Sequence, residues 1–267
     1  MKNRSIGLVM LLLSACFTLN AQDFAVRLLE NSTRHQEWVD VKSGNRKIHC
    51  FIVYPEKSVK VPVIIVIHEN RGLTDWVRSM ADQLAAAGYI AIAPDLLSGF
   101  SANFERTSDF ANSDEARNAI YQLNQDQVTK DLLEVQEYVH QIEASNGKLA
   151  VVGFCWGGSQ SFRFATNSSE LNAALVFYGS SPKDFNEIIR ISAPVYGFYG
   201  GNDERINAGI PETEKLMKEA DKEYEYVIYP GAGHAYMRMG DDPNGSKENK
   251  EARNKSWERM KQILSNL

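Results

Sequence analysis

Leu149-Ala150-Val151-Val152-Gly153-Phe154-Cys155-Trp156-Gly157-Gly158 is the stretch on which the fold turns. A short apolar run leads into a tight turn, and a helical stretch follows, so the segment reads strand, sharp turn, helix with Cys155 at the corner. Glycines stand two positions before and two after the cysteine, at Gly153 and Gly157. A nucleophile elbow needs glycine there, because side chains would collide with the neighbouring strand and helix. In such a turn the N–H of Trp156 points toward a reacting carbonyl, and the helix N-terminus favours thiolate. By itself the motif also fits a tight turn around a buried thiol.

Outward from this segment, residues 61–67, 89–93, 173–178, 194–199 and 224–229 are further short apolar runs. Their β-branched and aromatic content and flanking Gly or Pro mark buried parallel strands, which need continuous rather than alternating apolar residues. Ile48, Phe51 and Val53 lie in a more polar segment expected to form an outer antiparallel strand. Helical stripes fall between the strands. Trp76, Val77, Met80 and Leu84 stop at Gly88; Val128, Leu132, Val135, Val139 and Ile142 end before Gly147; Trp257, Met260, Ile263, Leu264 and Leu267 form the terminal helix. The alternation predicts an α/β fold, a mostly parallel central sheet with helices on both faces. Residues 97–112 and 240–250 read as loops. The first either caps a site or is plain surface, and the second is a solvated approach to the last helix.

Two loops at the carboxyl ends of strands continue the chemistry. Gly200-Gly201-Asn202-Asp203 follows residues 194–199, and Gly231-Ala232-Gly233-His234 follows residues 224–229. Nucleophile, acid, histidine is the α/β-hydrolase order, with Cys155, Asp203 and His234 as the triad. Taken singly, Asp203 also fits a turn former or helix cap and His234 a loop histidine. After residues 61–67 comes His68-Glu69-Asn70-Arg71-Gly72, where the N–H of Asn70 supplies a second oxyanion donor beside that of Trp156. Glu69 either holds Cys155 inactive, accepts its proton, or is a surface carboxylate.

These segments resemble the dienelactone hydrolase family from about Val61 to the terminal helix. The carriers are the Glu69 loop, Ala93-Pro94-Asp95-Leu96, the elbow, Asp203, and Gly233-His234-Ala235-Tyr236-Met237-Arg238. The resemblance implies the α/β-hydrolase fold, Cys155, Asp203 and His234 as triad, and Glu69 as the residue controlling thiol activation. It also implies that Arg238, with Tyr236 in the same motif, meets the substrate, Arg238 through a carboxylate. Family members that cleave dienelactone carry a second arginine after the Pro-Asp-Leu segment, where this chain has Gly99. Arg71 and Arg106 are the candidates to replace it.

The chain of 267 residues, 43% hydrophobic and 24% charged, has the composition of a globular protein. Residues 1–21 read as an export signal, with Lys2 and Arg4 before an apolar run too short for a membrane anchor, and residues 22–267 as one domain. The product is expected to be periplasmic or secreted, without a transmembrane segment, or a lipoprotein through Cys16. Losing Lys2 and Arg4 but no acids moves the formal charge from −5 to −7. With no Lys/Arg stripe either, a nucleic-acid partner is excluded. Cys50 reads as a small buried apolar residue, with a bridge to Cys155 as the alternative. His35, His49 and His140 lack carboxylate or cysteine partners at ligand spacing, so neither metal nor cofactor is expected. Oligomeric state has no signature in the sequence. The expected activity is hydrolysis of a small activated ester or lactone through a thioester; an acyltransferase and a noncatalytic binding protein are the alternatives.

Overall fold

The computed structural model describes residues 23–267. The export signal expected over residues 1–21, Cys16 included, lies outside the described residues. Strands β1 (His35–Ser43), β2 (Arg46–Tyr54), β3 (Val61–Ile67), β4 (Ile90–Pro94), β5 (Ser145–Phe154), β6 (Ala173–Phe177), β7 (Val195–Gly200) and β8 (Tyr224–Tyr229) form one sheet in the order β1-β2-β4-β3-β5-β6-β7-β8. Pairing is antiparallel for β1 with β2 and for β2 with β4, and parallel elsewhere. The helices are α1 (Asp23–Glu30), α2 (Asp75–Ala86), α3 (Ser113–Ile120), α4 (Gln125–His140), α5 (Trp156–Ala165), α6 (Phe185–Ile188), α7 (Glu204–Asn207), α8 (Ile210–Glu219), α9 (Tyr236–Asp241) and α10 (Lys247–Leu264).

Residue alternation in β3 shows why the strand runs are continuously apolar. Val63, Ile65 and Ile67 join a core with Leu132 and Val135 of α4 and Phe162 of α5. Ile64 and Val66 face the other way, into a core with Trp76 and Met80 of α2 and Met260 of α10. Both faces are therefore covered, and each fully buried Ile or Val contributes about 1.5–3 kcal/mol relative to exposure. The predicted fold class is present, and the strand holding Ile48, Phe51 and Val53 is antiparallel as expected but lies second in the sheet, with β1 outside it.

Several elements depart from the expectation. Strand β1 carries charged residues along an edge and buries only Val41 and Ser43, so it lacks an apolar run. Residues 240–250 are not one loop. Helix α9 covers their start, and α10 begins at Lys247, where the Ser246 hydroxyl accepts the Asn249 N–H at 3.2 Å. The cap is local, but what keeps α9 in place is tertiary: Asp241 accepts from Trp76 Nε1 at 2.9 Å and pairs with Arg253 at 2.6 Å. Residues 97–112 do form a loop, pinned by the buried carboxylate of Asp95, which accepts the Thr107 N–H at 2.6 Å and its hydroxyl at 2.7 Å.

Candidate active site

The elbow forms as its glycines require. Cys155 has φ 56° and ψ −115° between β5 and α5, and its N–H donates to Phe177 O at 3.0 Å. A Cβ on Gly153 would meet Gly157 O at 1.9 Å, and one on Gly157 would meet His68 O at 2.3 Å and Ile67 O at 2.5 Å. The two glycines thus let the helix start and the end of β3 close around the sulfur.

Loops after β7 and β8 converge on the same point. His234 Nε2 lies 3.0 Å from Cys155 Sγ, and His234 Nδ1 lies 2.5 Å from Asp203 Oδ2. Asp203 is buried, and the contact suits a tautomer in which the Nδ1–H donates to the carboxylate and Nε2 faces the thiol as acceptor. The ring of Tyr178 stands edge-on to His234, with centroids 5.1 Å apart. Tyr178 has φ 40°, and its buried hydroxyl has no partner among the described residues. Sequence inspection missed it, because within residues 173–178 it is indistinguishable from core.

Burial and then the charge of Glu69 push the Cys155 thiol up to about 11. The N–H of Trp156, the charge of Arg205 and the N–H of Asn70 pull the other way without prevailing. Both backbone groups expected as oxyanion donors therefore point at the sulfur. The helix terminus favours thiolate through the Trp156 N–H, as expected, but in a site this dry the desolvation cost and a nearby carboxylate outweigh it.

Glu69 is buried, and its Oε2 accepts from Arg238 Nε at 2.7 Å. Its Oε1 has no hydrogen-bond partner among the described residues. A surface carboxylate is thereby excluded. The loop around it is fixed by His68, whose Nδ1 donates to Glu69 O at 2.8 Å and whose Nε2 accepts from Leu96 N at 3.2 Å. The His68 ring also stacks on Trp156 at 5.4 Å. A cavity of about 460 Å³ opens beside the sulfur, lined by Glu69, Asn70, Arg71, Arg117, His234 and Arg238 among others.

A profile of the dienelactone hydrolase family matches residues 48–267. A protein from Saccharolobus solfataricus named as a carboxymethylenebutenolidase by assignment is 30% identical over 262 residues, covering 83% of this chain and 95% of that one. The chain belongs to the dienelactone hydrolase family. As a member it is a hydrolase. A Salmonella typhimurium relative, also assigned as carboxymethylenebutenolidase, is 33% identical, with 75% of each chain covered. In fold, a Klebsiella pneumoniae protein assigned as a dienelactone hydrolase superposes with TM-score 0.76 at 23% identity, covering 88% of this chain and 99% of that one.

For a dienelactone hydrolase family site, the remaining expected residues sort cleanly. Arg238 lines the cavity, though Glu69 holds it. Tyr236 does not reach the cavity and is corrected: it is fully buried behind Tyr178, with its hydroxyl 2.7 Å from Ser256 Oγ of α10. Tyr236 opens α9, and there its ring turns into the core that this helix shares with α10. Of the two arginines expected to stand in for Gly99, Arg71 lines the cavity. Arg106 lies elsewhere, over the Trp38 ring at 5.7 Å, in a separate depression with Arg78 and Thr107. The 97–112 loop lines that depression and so caps a different place. Arg117 on α3 and Arg205 on α7 were missed; Arg205 alone had a signal, two residues beyond Asp203.

Two lesser expectations also change. Cys50 and Cys155 are free thiols, and the bridge between them is absent because Cys50 is sealed in β2, bonded to Ile48 O at 3.5 Å. The three histidines do have carboxylate neighbours, brought by the fold: Glu37 for His35 at 3.5 Å, Asp40 for His49 at 2.6 Å and Glu170 for His140 at 2.7 Å. Only His140 gains a second carboxylate, from Glu137, and that group lies on an exposed face.

Proposed function

We propose that the protein hydrolyses a small activated ester or lactone through a thioester on Cys155. The observation that carries this reading is the relay from a buried Asp203 through His234 to the sulfur, at 2.5 and 3.0 Å. In the free enzyme burial and the Glu69 charge keep the thiol protonated. With substrate bound, His234 Nε2 takes the proton as sulfur attacks the carbonyl carbon, and the oxyanion is held by the N–H groups of Trp156 and Asn70. The C–O bond breaks, and the leaving oxygen takes the proton back from His234. Water, activated by the same nitrogen, then cleaves the thioester and restores the thiol. A thiolate is a good leaving group, so the scheme favours activated acyl groups over amides.

Export of the mature chain, with residues 1–21 removed, is part of the same proposal. The chemistry is tested with 4-nitrophenyl acetate and a lactone panel, comparing the protein with its Cys155→Ala variant and quenching for mass spectrometry. Turnover that depends on Cys155, with an acyl adduct on that residue, is the expected result. Folded, reduced protein that gives neither turnover nor adduct would sink the reading.

A further inference from the structure

Glu137 and His140 share one face of the last turns of α4, and Glu170 reaches them from the segment between α5 and β6. A strand and a helix separate Glu170 from the other two along the chain, so their spacing carried no sign of the cluster. One ring nitrogen of His140 and one oxygen of each carboxylate lie within 4.8 Å of one another, and His140 Nε2 is 2.7 Å from Glu170 Oε2. The charges do not close. Neither carboxylate pairs with a lysine or arginine among the described residues. A protonated His140 offsets one negative charge and leaves the other, and the carbonyl end of α4 adds a partial negative charge at the same point. Like charges this close repel unless a cation lies between them. The backbone that presents them is pinned from below. Ser168 Oγ donates to Gln136 Oε1 at 2.6 Å, both residues being buried, and accepts the Glu170 N–H at 3.3 Å.

We propose that Glu137, His140 and Glu170 bind a divalent ion of the zinc class, which clamps α4 to the segment leading into β6. One imidazole and two carboxylates supply three ligands of a tetrahedral ion, and exposure of all three residues leaves the fourth position to water. The imidazole selects zinc over magnesium, which prefers oxygen alone. On binding, the ion takes the place of the His140 proton, and a doubly charged cation with two carboxylates and a neutral imidazole leaves no net charge. None of the three residues lines the cavities beside Cys155, so the ion acts on stability and not on turnover.

The test titrates the Cys155→Ala protein with zinc chloride by calorimetry, the substitution removing the thiol as a rival ligand. One ion per chain is expected, with the thermal midpoint rising about 3 °C or more at a tenfold excess over the dissociation constant. His140→Ala in the same background is expected to weaken binding by about tenfold or more, as the loss of even an outer-shell partner does, and to remove the rise. Glu137→Gln separates a metal site from an ion pair: it leaves His140 facing Glu170 and is still expected to weaken zinc binding. Magnesium at the same concentration leaves the midpoint unmoved, and His140→Ala alone leaves hydrolysis of 4-nitrophenyl acetate unchanged. No zinc uptake, an affinity unchanged in both His140→Ala and Glu137→Gln, or an equal rise with magnesium, which marks mere screening of surface charge, each overturns the proposal.

Discussion

Cys155 and Glu69 illustrate how two residues share one proton problem. The thiol stands at about 11, well above neutral pH, with burial the larger cause and the Glu69 charge the next. Removing that charge in Glu69→Gln favours the thiolate, so alkylation of Cys155 by iodoacetamide at pH 8 is expected to rise about tenfold, its pH profile moving to lower pH. A profile unmoved by the substitution would free Glu69 of any part in thiol control. Asp203→Asn tests the tautomer. An asparagine N–H donating to Nδ1 would force the proton onto Nε2 and remove the acceptor that faces the sulfur, so kcat on 4-nitrophenyl acetate should fall by roughly 10³–10⁴ with the fold retained by circular dichroism. Cys155, Asp203, His234 and Glu69 were legible in the sequence because each follows a strand run in a glycine-marked loop. Tyr236 misled because its neighbours in sequence line the cavity while its own ring turns into the core.

At the scale of elements, the end of β3 and the start of α5 are in backbone contact, and this contact holds the two N–H groups proposed as oxyanion donors. Gly157→Ala puts a methyl 2.3 Å from His68 O, against rigid backbone, and is expected to cost more than about 2 kcal/mol, read as a lower urea midpoint. Gly99→Ala is the contrast. Its position has φ +59° but open space, so only backbone strain of about 1 kcal/mol is expected there. Equal midpoints for the two variants would show that the close approach at Gly157 is relieved by movement. The strands were readable because burial on both faces writes a continuous apolar run. Edge strand β1 was not, nor was α9, whose position depends on Asp241 meeting Trp76 and Arg253 from distant parts of the chain.

Across the whole molecule, buried acidic protons add up. Burial raises the pKa of Cys50 and Cys155 above the ordinary 9.0, and of Tyr178, Tyr236, Tyr199 and Tyr224 above 10.0. The folded state keeps these protons at pH values where the unfolded chain has lost them. Their contribution is thus fully present below about pH 9 and is lost as pH rises through the folded values. The urea midpoint is expected to fall steeply between about pH 9 and pH 11, less so in Cys155→Ala, and a midpoint flat across that range would contradict the burial described here. By itself the sequence determined the six strand runs of the parallel part of the sheet, the stripes of its long helices, the glycine-flanked turn at Cys155 and the succession Cys155, Asp203, His234. Those features follow from local chain geometry and from periodic burial, which neighbouring residues record. Only the tertiary structure decided that Glu69 pairs with Arg238, that Arg117 and Arg205 rather than Arg106 face the sulfur, and that Tyr236 is core. These depend on distance through space and on depletion of water, and separation along the chain encodes neither.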